Sequence, residues 1–112
     1  MSAALVAVAK VADVREGDII PVQVGEREMI LYRWKDRLYA AQRRCPHQGS
    51  DLAEGLILRG AVVCAQHGWR FIAENGVLET SPYTCLITYR VEVQGDDVLV
   101  DPTPIYNAKV PE

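Results

Sequence analysis

Both histidines and two of the three cysteines of this 112-residue chain fall between positions 45 and 67, as Cys45-Pro46-His47 and Cys64-Ala65-Gln66-His67. Sixteen residues separate the two pairs. Thiolate sulfur and neutral imidazole nitrogen are donors that transition metals select. The fold therefore has to bring two distant segments together around one inorganic centre. Gly49 and Gly68 follow the pairs within two residues, which marks tight, exposed loops where backbone can approach a metal closely.

The remainder of the chain reads as short β-branched runs separated by Gly, Asp and Asn turn signals, with no long stretch at the helical period. The expected strands are Leu5–Ala9, Ile19–Val24, Glu28–Trp34, Arg37–Gln42, Leu56–Leu58, Ala61–Cys64, Trp69–Ile72, Val77–Glu79, Ile87–Val93 and Asp97–Val100. Turns are expected at Lys35-Asp36, Arg59-Gly60, Glu74-Asn75-Gly76 and Gln94-Gly95-Asp96. This is the pattern of a small antiparallel sandwich or barrel, a single all-β domain over residues 1–112 with one modest core. Residues 43–71 form an inserted subdomain that carries the two loops. Residues 101–112 contain Pro102, Pro104 and Pro111 and are expected to be an irregular tail.

Composition narrows the function classes. A hydrophobic fraction of 49% with a formal net charge of −3 suits a folded, soluble chain and supplies no basic stripe for nucleic acid. The apolar N-terminal run lacks a basic flank and meets Lys10 after a few residues. It is too short for a signal peptide or a membrane span and suits a first strand. Three cysteines, two of them with a use as ligands, argue against a disulfide framework and point to a reducing compartment, with the cytoplasm as the default. Cys85 reads as a buried, inert thiol, Phe71 and Trp34 as core aromatics, and Trp69 equally as core or as a cover over the metal centre.

Spacing bears on which metal is held. Structural zinc pairs are usually separated by two to four residues. Cys64 and His67 meet that rule, whereas Cys45 and His47, with one residue between them, are tight for chelating one ion. In a locally extended loop, residues i and i+2 point the same way and can meet two neighbouring metal atoms. A two-iron cluster taking one Cys and one His from each loop fits, and a Cys2His2 zinc-stapled binding module stays open as the competing reading.

Cys-x-His, sixteen residues, then Cys-x-x-His resembles the ligand signature of the Rieske [2Fe–2S] proteins. The flanking residues are similar too: Cys45-Pro46-His47-Gln48-Gly49-Ser50-Asp51-Leu52 resembles the first Rieske loop and His67-Gly68-Trp69-Arg70-Phe71 the second. Gly76 falls at the family's glycine turn, and Leu86–Val93 with Gly95-Asp96-Asp97 resembles the last hairpin of small Rieske ferredoxins. The resemblance implies a Rieske fold, a small antiparallel sandwich or incomplete barrel with an inserted cluster-binding subdomain. It implies one [2Fe–2S] cluster, with Cys45 and Cys64 on one iron and His47 and His67 on the other. Neutral imidazoles in place of two thiolates make the oxidised cluster less negative and raise its potential. Gln48, Gly49, Gln66, Gly68, Trp69 and Pro82 would lie beside the cluster or rim the contact with partners.

The resemblance also sorts among Rieske types. Respiratory and photosynthetic members carry an extra, disulfide-bonded Cys in each loop where this chain has Ser50 and Gln66, and a Ser where it has Trp69. Fewer donors to sulfur imply a potential near the low end of the Rieske range, about −150 mV. No membrane anchor and no long catalytic region are visible, so the expectation is the soluble ferredoxin of a bacterial multicomponent oxygenase. Such a protein is an electron-transfer component and not itself an enzyme. It passes single electrons from a flavin-containing reductase to a terminal oxygenase. Two systems compete. The Cys64-Ala65-Gln66-His67 loop and the closing hairpin look closer to the ferredoxin of toluene monooxygenase, a diiron enzyme, than to that of a ring-hydroxylating dioxygenase.

Overall fold

The computed structural model describes residues 5–46, 49–66 and 68–108. Thirteen strands and two short 3-10 turns form three antiparallel sheets among these residues. In chain order the strands are β1 (Val6–Lys10), β2 (Ile19–Val24), β3 (Arg27–Trp34), β4 (Arg37–Gln42), β5 (Leu56–Leu58), β6 (Ala61–Val63) and β7 (Arg70–Ile72). They continue with β8 (Val77–Leu78), β9 (Ser81–Cys85), β10 (Ile87–Tyr89), β11 (Val91–Gln94), β12 (Asp97–Val100) and β13 (Ile105–Tyr106). One sheet has the order β1-β12-β11, a second β13-β10-β4-β3-β2, and the third β5-β6-β7-β8-β9.

The second sheet lies in the middle because its centre is apolar on both faces. On β3, Met29 and Leu31 join Val14, Ala40, Tyr89, Val98 and Val100 in a core against the first sheet. Ile30 and Tyr32, at the alternate positions, join Leu52, Val62, Phe71, Ala73, Leu78 and Leu86 in a core against the third. Successive side chains on a strand point to opposite faces, so the uninterrupted Met29-Ile30-Leu31-Tyr32 run is buried throughout. The single modest core expected from the sequence is thus two cores that share one sheet.

Two-residue turns close the hairpins where the sequence places them. Trp34 pairs with Arg37 across Lys35-Asp36, and Leu58 pairs with Ala61 across Arg59-Gly60. Lys35 and Asp36 have φ of 51° and 62°, the left-handed backbone region whose turn matches the right-handed twist of the flanking strands. The Glu16 carboxylate stabilises that turn by accepting from the backbone N–H groups of Lys35 at 2.7 Å and Asp36 at 2.8 Å.

Four expectations are corrected. Ser81–Cys85, absent from the expected strands, is strand β9, and Pro82 is tolerated because β9 is a sheet edge. The run Ile87–Val93 is two strands in two different sheets, broken at Arg90, whose carbonyl accepts from the Asp101 N–H at 2.9 Å. The tail carries β13, which pairs with β10. The third sheet also extends to Cys85, past Phe71 where the sequence ends the inserted subdomain.

A buried hydrogen bond ties the third sheet to the second beside the core, and a close backbone approach tightens the third sheet itself. The Tyr32 hydroxyl donates to the Ala73 carbonyl at 2.6 Å in a buried setting. Burial, reinforced by neighbouring Tyr39, pushes its phenol well above the ordinary range, so it remains a donor. Gly55 is required by close approach, since a Cβ there would stand 2.1 Å from the Val63 carbonyl oxygen. Tyr32→Phe is expected to cost about 1–2 kcal/mol, the price of orphaning a buried carbonyl. Gly55→Ala, which forces backbone apart, is expected to cost about 2–3 kcal/mol. Urea unfolding followed by circular dichroism measures both, and a Gly55→Ala midpoint above that of Tyr32→Phe would contradict this ranking.

Candidate metal centre

The two loops are built on the same frame. In the first, the Cys45 N–H donates to the Ser50 carbonyl at 2.8 Å, and the Gly49 N–H returns to the Cys45 carbonyl at 2.8 Å. In the second, the Cys64 N–H donates to the Trp69 carbonyl at 2.9 Å, and the Gly68 N–H returns to the Cys64 carbonyl at 3.0 Å. Each hexapeptide, Cys45 to Ser50 and Cys64 to Trp69, therefore closes on itself in the same way. Gly49 and Gly68 take φ of 72° and 70° to make that closure, a conformation side chains resist. Within the shared frame, His and Gln exchange the third and fourth places: His47-Gln48 against Gln66-His67.

Cys45 and Cys64 are both buried and belong to the same apolar cluster, between the second and third sheets. Neither is in a disulfide. Two thiols from two equivalent loops, facing one core, supply half of a two-Cys, two-His donor set, and that donor chemistry fits a Rieske cluster. His47, Gln48 and His67 lie outside the described residues. Gly49, Gln66 and Gly68 are exposed, as the sequence anticipates for loop tips. Trp69 is half-buried, packs on the same cluster, and stands 6.2 Å from Phe71 between ring centroids. Phe71 is fully buried core. Pro82 is an exposed residue of β9. Cys85 is buried on the same strand, and Trp34 packs at the edge of the site-side core.

The neck of each loop is held differently. The second rises from the β6–β7 hairpin, where Val63 pairs with Arg70. The first has no paired strands at its neck among the described residues, where an isolated bridge joins Arg44 and Asp51 and the Leu52 N–H donates to the Arg43 carbonyl at 2.8 Å. Charge supplies the rest. Arg43 grips Asp51 with two bonds, Nε to Oδ1 at 2.9 Å and Nη2 to Oδ2 at 2.8 Å, the bidentate geometry that makes an ion pair strong. The Asp51 carboxylate also accepts from the Ala53 N–H at 3.0 Å and caps the turn Leu52–Glu54. A cap signal, Asp51 followed three residues later by Glu54, is present in the sequence. Its partner Arg43 is not marked by any local pattern.

The Arg43 guanidinium, helped by the Ala53 N–H, holds the Asp51 carboxyl below the usual aspartate value of 3.8 despite partial burial. A folded pKa below the unfolded one means a contribution that is complete above the unfolded value and is lost as pH falls through the folded value. Asp51→Asn keeps a cap acceptor but removes the charge. The wild type is expected to be the more stable near neutral pH, and the difference should fade below about pH 3.8. The gap between the two urea midpoints, measured across pH, reports this; a gap that grows on acidification would contradict it.

Comparison with known proteins agrees with the site. Residues 4–90 match the family model described as Rieske [2Fe-2S] domain. The chain is 33% identical over 99 residues to the ferredoxin component of the alkene monooxygenase system of Xanthobacter autotrophicus, spanning 88% of this chain and 81% of that one. It is 30% identical over 90 residues to the ferredoxin component of the naphthalene 1,2-dioxygenase system of Pseudomonas aeruginosa, spanning 80% of this chain and 86% of that one. Among solved structures, a chain of the complex of reduced oxygenase and oxidized ferredoxin in carbazole 1,9a-dioxygenase superposes with a TM-score of 0.82 at 28% identity, over 94% of this chain and 99% of that chain. The ferredoxin of carbazole 1,9a-dioxygenase from Nocardioides aromaticivorans IC177 superposes with a TM-score of 0.79 at 26% identity, over 88% of this chain and 98% of that chain. No helix among the described residues is long and apolar enough to cross a membrane. The chain belongs to the Rieske [2Fe–2S] family, as an electron-carrying ferredoxin whose cofactor is a Rieske-type cluster and not as a catalytic oxygenase.

Proposed function

We propose that this protein is the ferredoxin component of a multicomponent oxygenase system in the cytoplasm, taking one electron at a time from a flavin-containing reductase and delivering it to a terminal oxygenase. The observation that carries this reading is the pair of buried thiols, Cys45 and Cys64, at the start of two equivalent self-closed loops over one apolar core. The assigned ligands are Cys45 and Cys64 to one iron and His47 and His67 to the other. When bound, the cluster supplies reversible one-electron chemistry at a potential above that of all-thiolate clusters.

The chain's own residues hold and cover that centre. The core formed by Leu52, Val62 and Phe71 keeps water from the thiolate side. The ring of Trp69, half-buried beside the second loop, covers its flank. Gly49, Gln66 and Gly68 are exposed and, with Gln48, are assigned to the rim on the imidazole side, where a partner approaches, while Pro82 stands exposed on β9. Short encounter interfaces suit a carrier, because tight binding slows its release.

The alkene monooxygenase ferredoxin, at 33% identity, supports delivery to a diiron monooxygenase acting on an aromatic or an alkene. The naphthalene dioxygenase ferredoxin, at 30% identity, and the carbazole dioxygenase ferredoxin structures support the competing reading of a ring-hydroxylating dioxygenase. We favour the monooxygenase.

Purified protein reduced with dithionite is expected to give a Rieske-type visible and EPR spectrum. His67→Cys is expected to retain some cluster while its potential falls by on the order of 100 mV. A colourless, EPR-silent sample with one zinc per chain would instead establish the zinc-stapled module, and an unchanged potential in His67→Cys would remove that residue from the ligand set. Reconstituted turnover decides between the systems: the ferredoxin is expected to support product formation by a diiron monooxygenase, and support of a dioxygenase alone would reverse the preference.

A further inference from the structure

The hydrogen bonds that close each loop run within that loop. They fix the shape of each hexapeptide and leave the separation between the two to contacts that cross the gap. A side-chain hydrogen bond does cross: Ser50 Oγ donates to Gln66 Oε1 at 2.8 Å. Its two ends are placed to act on both loops. Ser50 is the residue whose carbonyl closes the first loop onto Cys45, so its hydroxyl leaves from the frame itself. Gln66 stands between Cys64 and His67, so a pull on its side chain acts on the backbone of the second ligand pair.

We propose that Ser50 and Gln66 are positioning residues that latch the two loops at a set separation and thereby hold the two ligand pairs in register with each other. The proposal rests on the assignment of Cys45, His47, Cys64 and His67 as ligands. A serine has a single side-chain torsion with three staggered choices, so the direction of its hydroxyl follows the backbone closely, and the flexible glutamine does the reaching. The bond is exposed to solvent, so water competes with it and its net strength is that of an ordinary neutral pair. Its effect therefore falls on how often the tips part, with little effect on whether the domain folds.

Release of the cluster reads this directly. Bleaching of the visible absorbance in excess iron chelator is compared for the wild type, Ser50→Ala, Gln66→Ala, the double variant and Ser50→Thr, beside EPR linewidths and melting temperatures. Either single alanine variant is expected to bleach about three to ten times faster, the factor represented by one hydrogen bond of ordinary net strength. The double variant should bleach no faster than the singles, because both remove the same bond. Ser50→Thr, which keeps the hydroxyl, should restore the slow rate. The alanine variants should also show broadened EPR lines from a spread of loop separations, with melting temperatures unchanged.

Unchanged bleaching in the single variants, multiplying effects in the double variant, or a fall in melting temperature that tracks the bleaching would overturn the latch. A Cys45→Ser control separates failure of the ligand assignment. If that variant binds the cluster as the wild type does, the assignment falls and the latch falls with it. If Cys45→Ser loses the cluster while Ser50→Ala and Gln66→Ala bleach as the wild type does, the latch alone is wrong.

Discussion

A strand with no wet face organises this molecule. Over Met29 to Tyr32, β3 is buried on both sides, so it has to sit between two other sheets. Its odd-numbered side chains build the core against the first sheet, formed by β1 and the β11–β12 hairpin. Its even-numbered ones build the core that takes in Cys45 and Cys64, at the start of the two loops. A change of one residue in register would exchange the two sets. That would put Met29 and Leu31 under the loops and remove the Tyr32 hydroxyl from the Ala73 carbonyl.

Against that floor, the two loops solve one problem twice. Each uses a cysteine at the edge of the core, a backbone closure six residues wide, and a left-handed glycine to turn the chain. What differs is the support beneath. The second loop inherits the β6–β7 hairpin, whereas the first leans on the Arg43–Asp51 pair and the cap on Ala53. Cysteines held by apolar packing on one side, with exposed loop tips on the other, suit the proposed centre, which has to be shielded yet reachable by partners.

Much of this was legible in the sequence because it is local. Lys35-Asp36 and Arg59-Gly60 read as two-residue turns between alternating runs, and both are. The Cys and His spacing named the loops, and the loop frames depend only on residues within six positions. What was not legible depended on distant partners. β9 carries Pro82 and polar residues, and only the neighbouring β8 makes it a strand. The break at Arg90 has no breaker residue, since Leu86 to Val93 is one continuous run of β propensity. The sheet change there goes with a bond to Asp101 from beyond the next hairpin. Arg43 and Asp51 are eight positions apart, and Ser50 and Gln66 sixteen. No periodicity reports such pairs.

Pro82 has a consequence that concerns the protein's behaviour at high concentration. The third sheet ends at β5, only three residues long, on one side and at β9 on the other. A bare sheet edge is a template for adding a strand from a neighbouring molecule, the first step of edge-to-edge aggregation. Proline has no N–H to offer that template and holds its ring where an incoming strand would lie. An exposed proline near the start of β9, and an edge too short to recruit anything at β5, leave the sheet that carries the loops resistant to strand addition. A diffusing carrier gains protection against self-association from a residue that the sequence alone connects only with the metal centre and its partners.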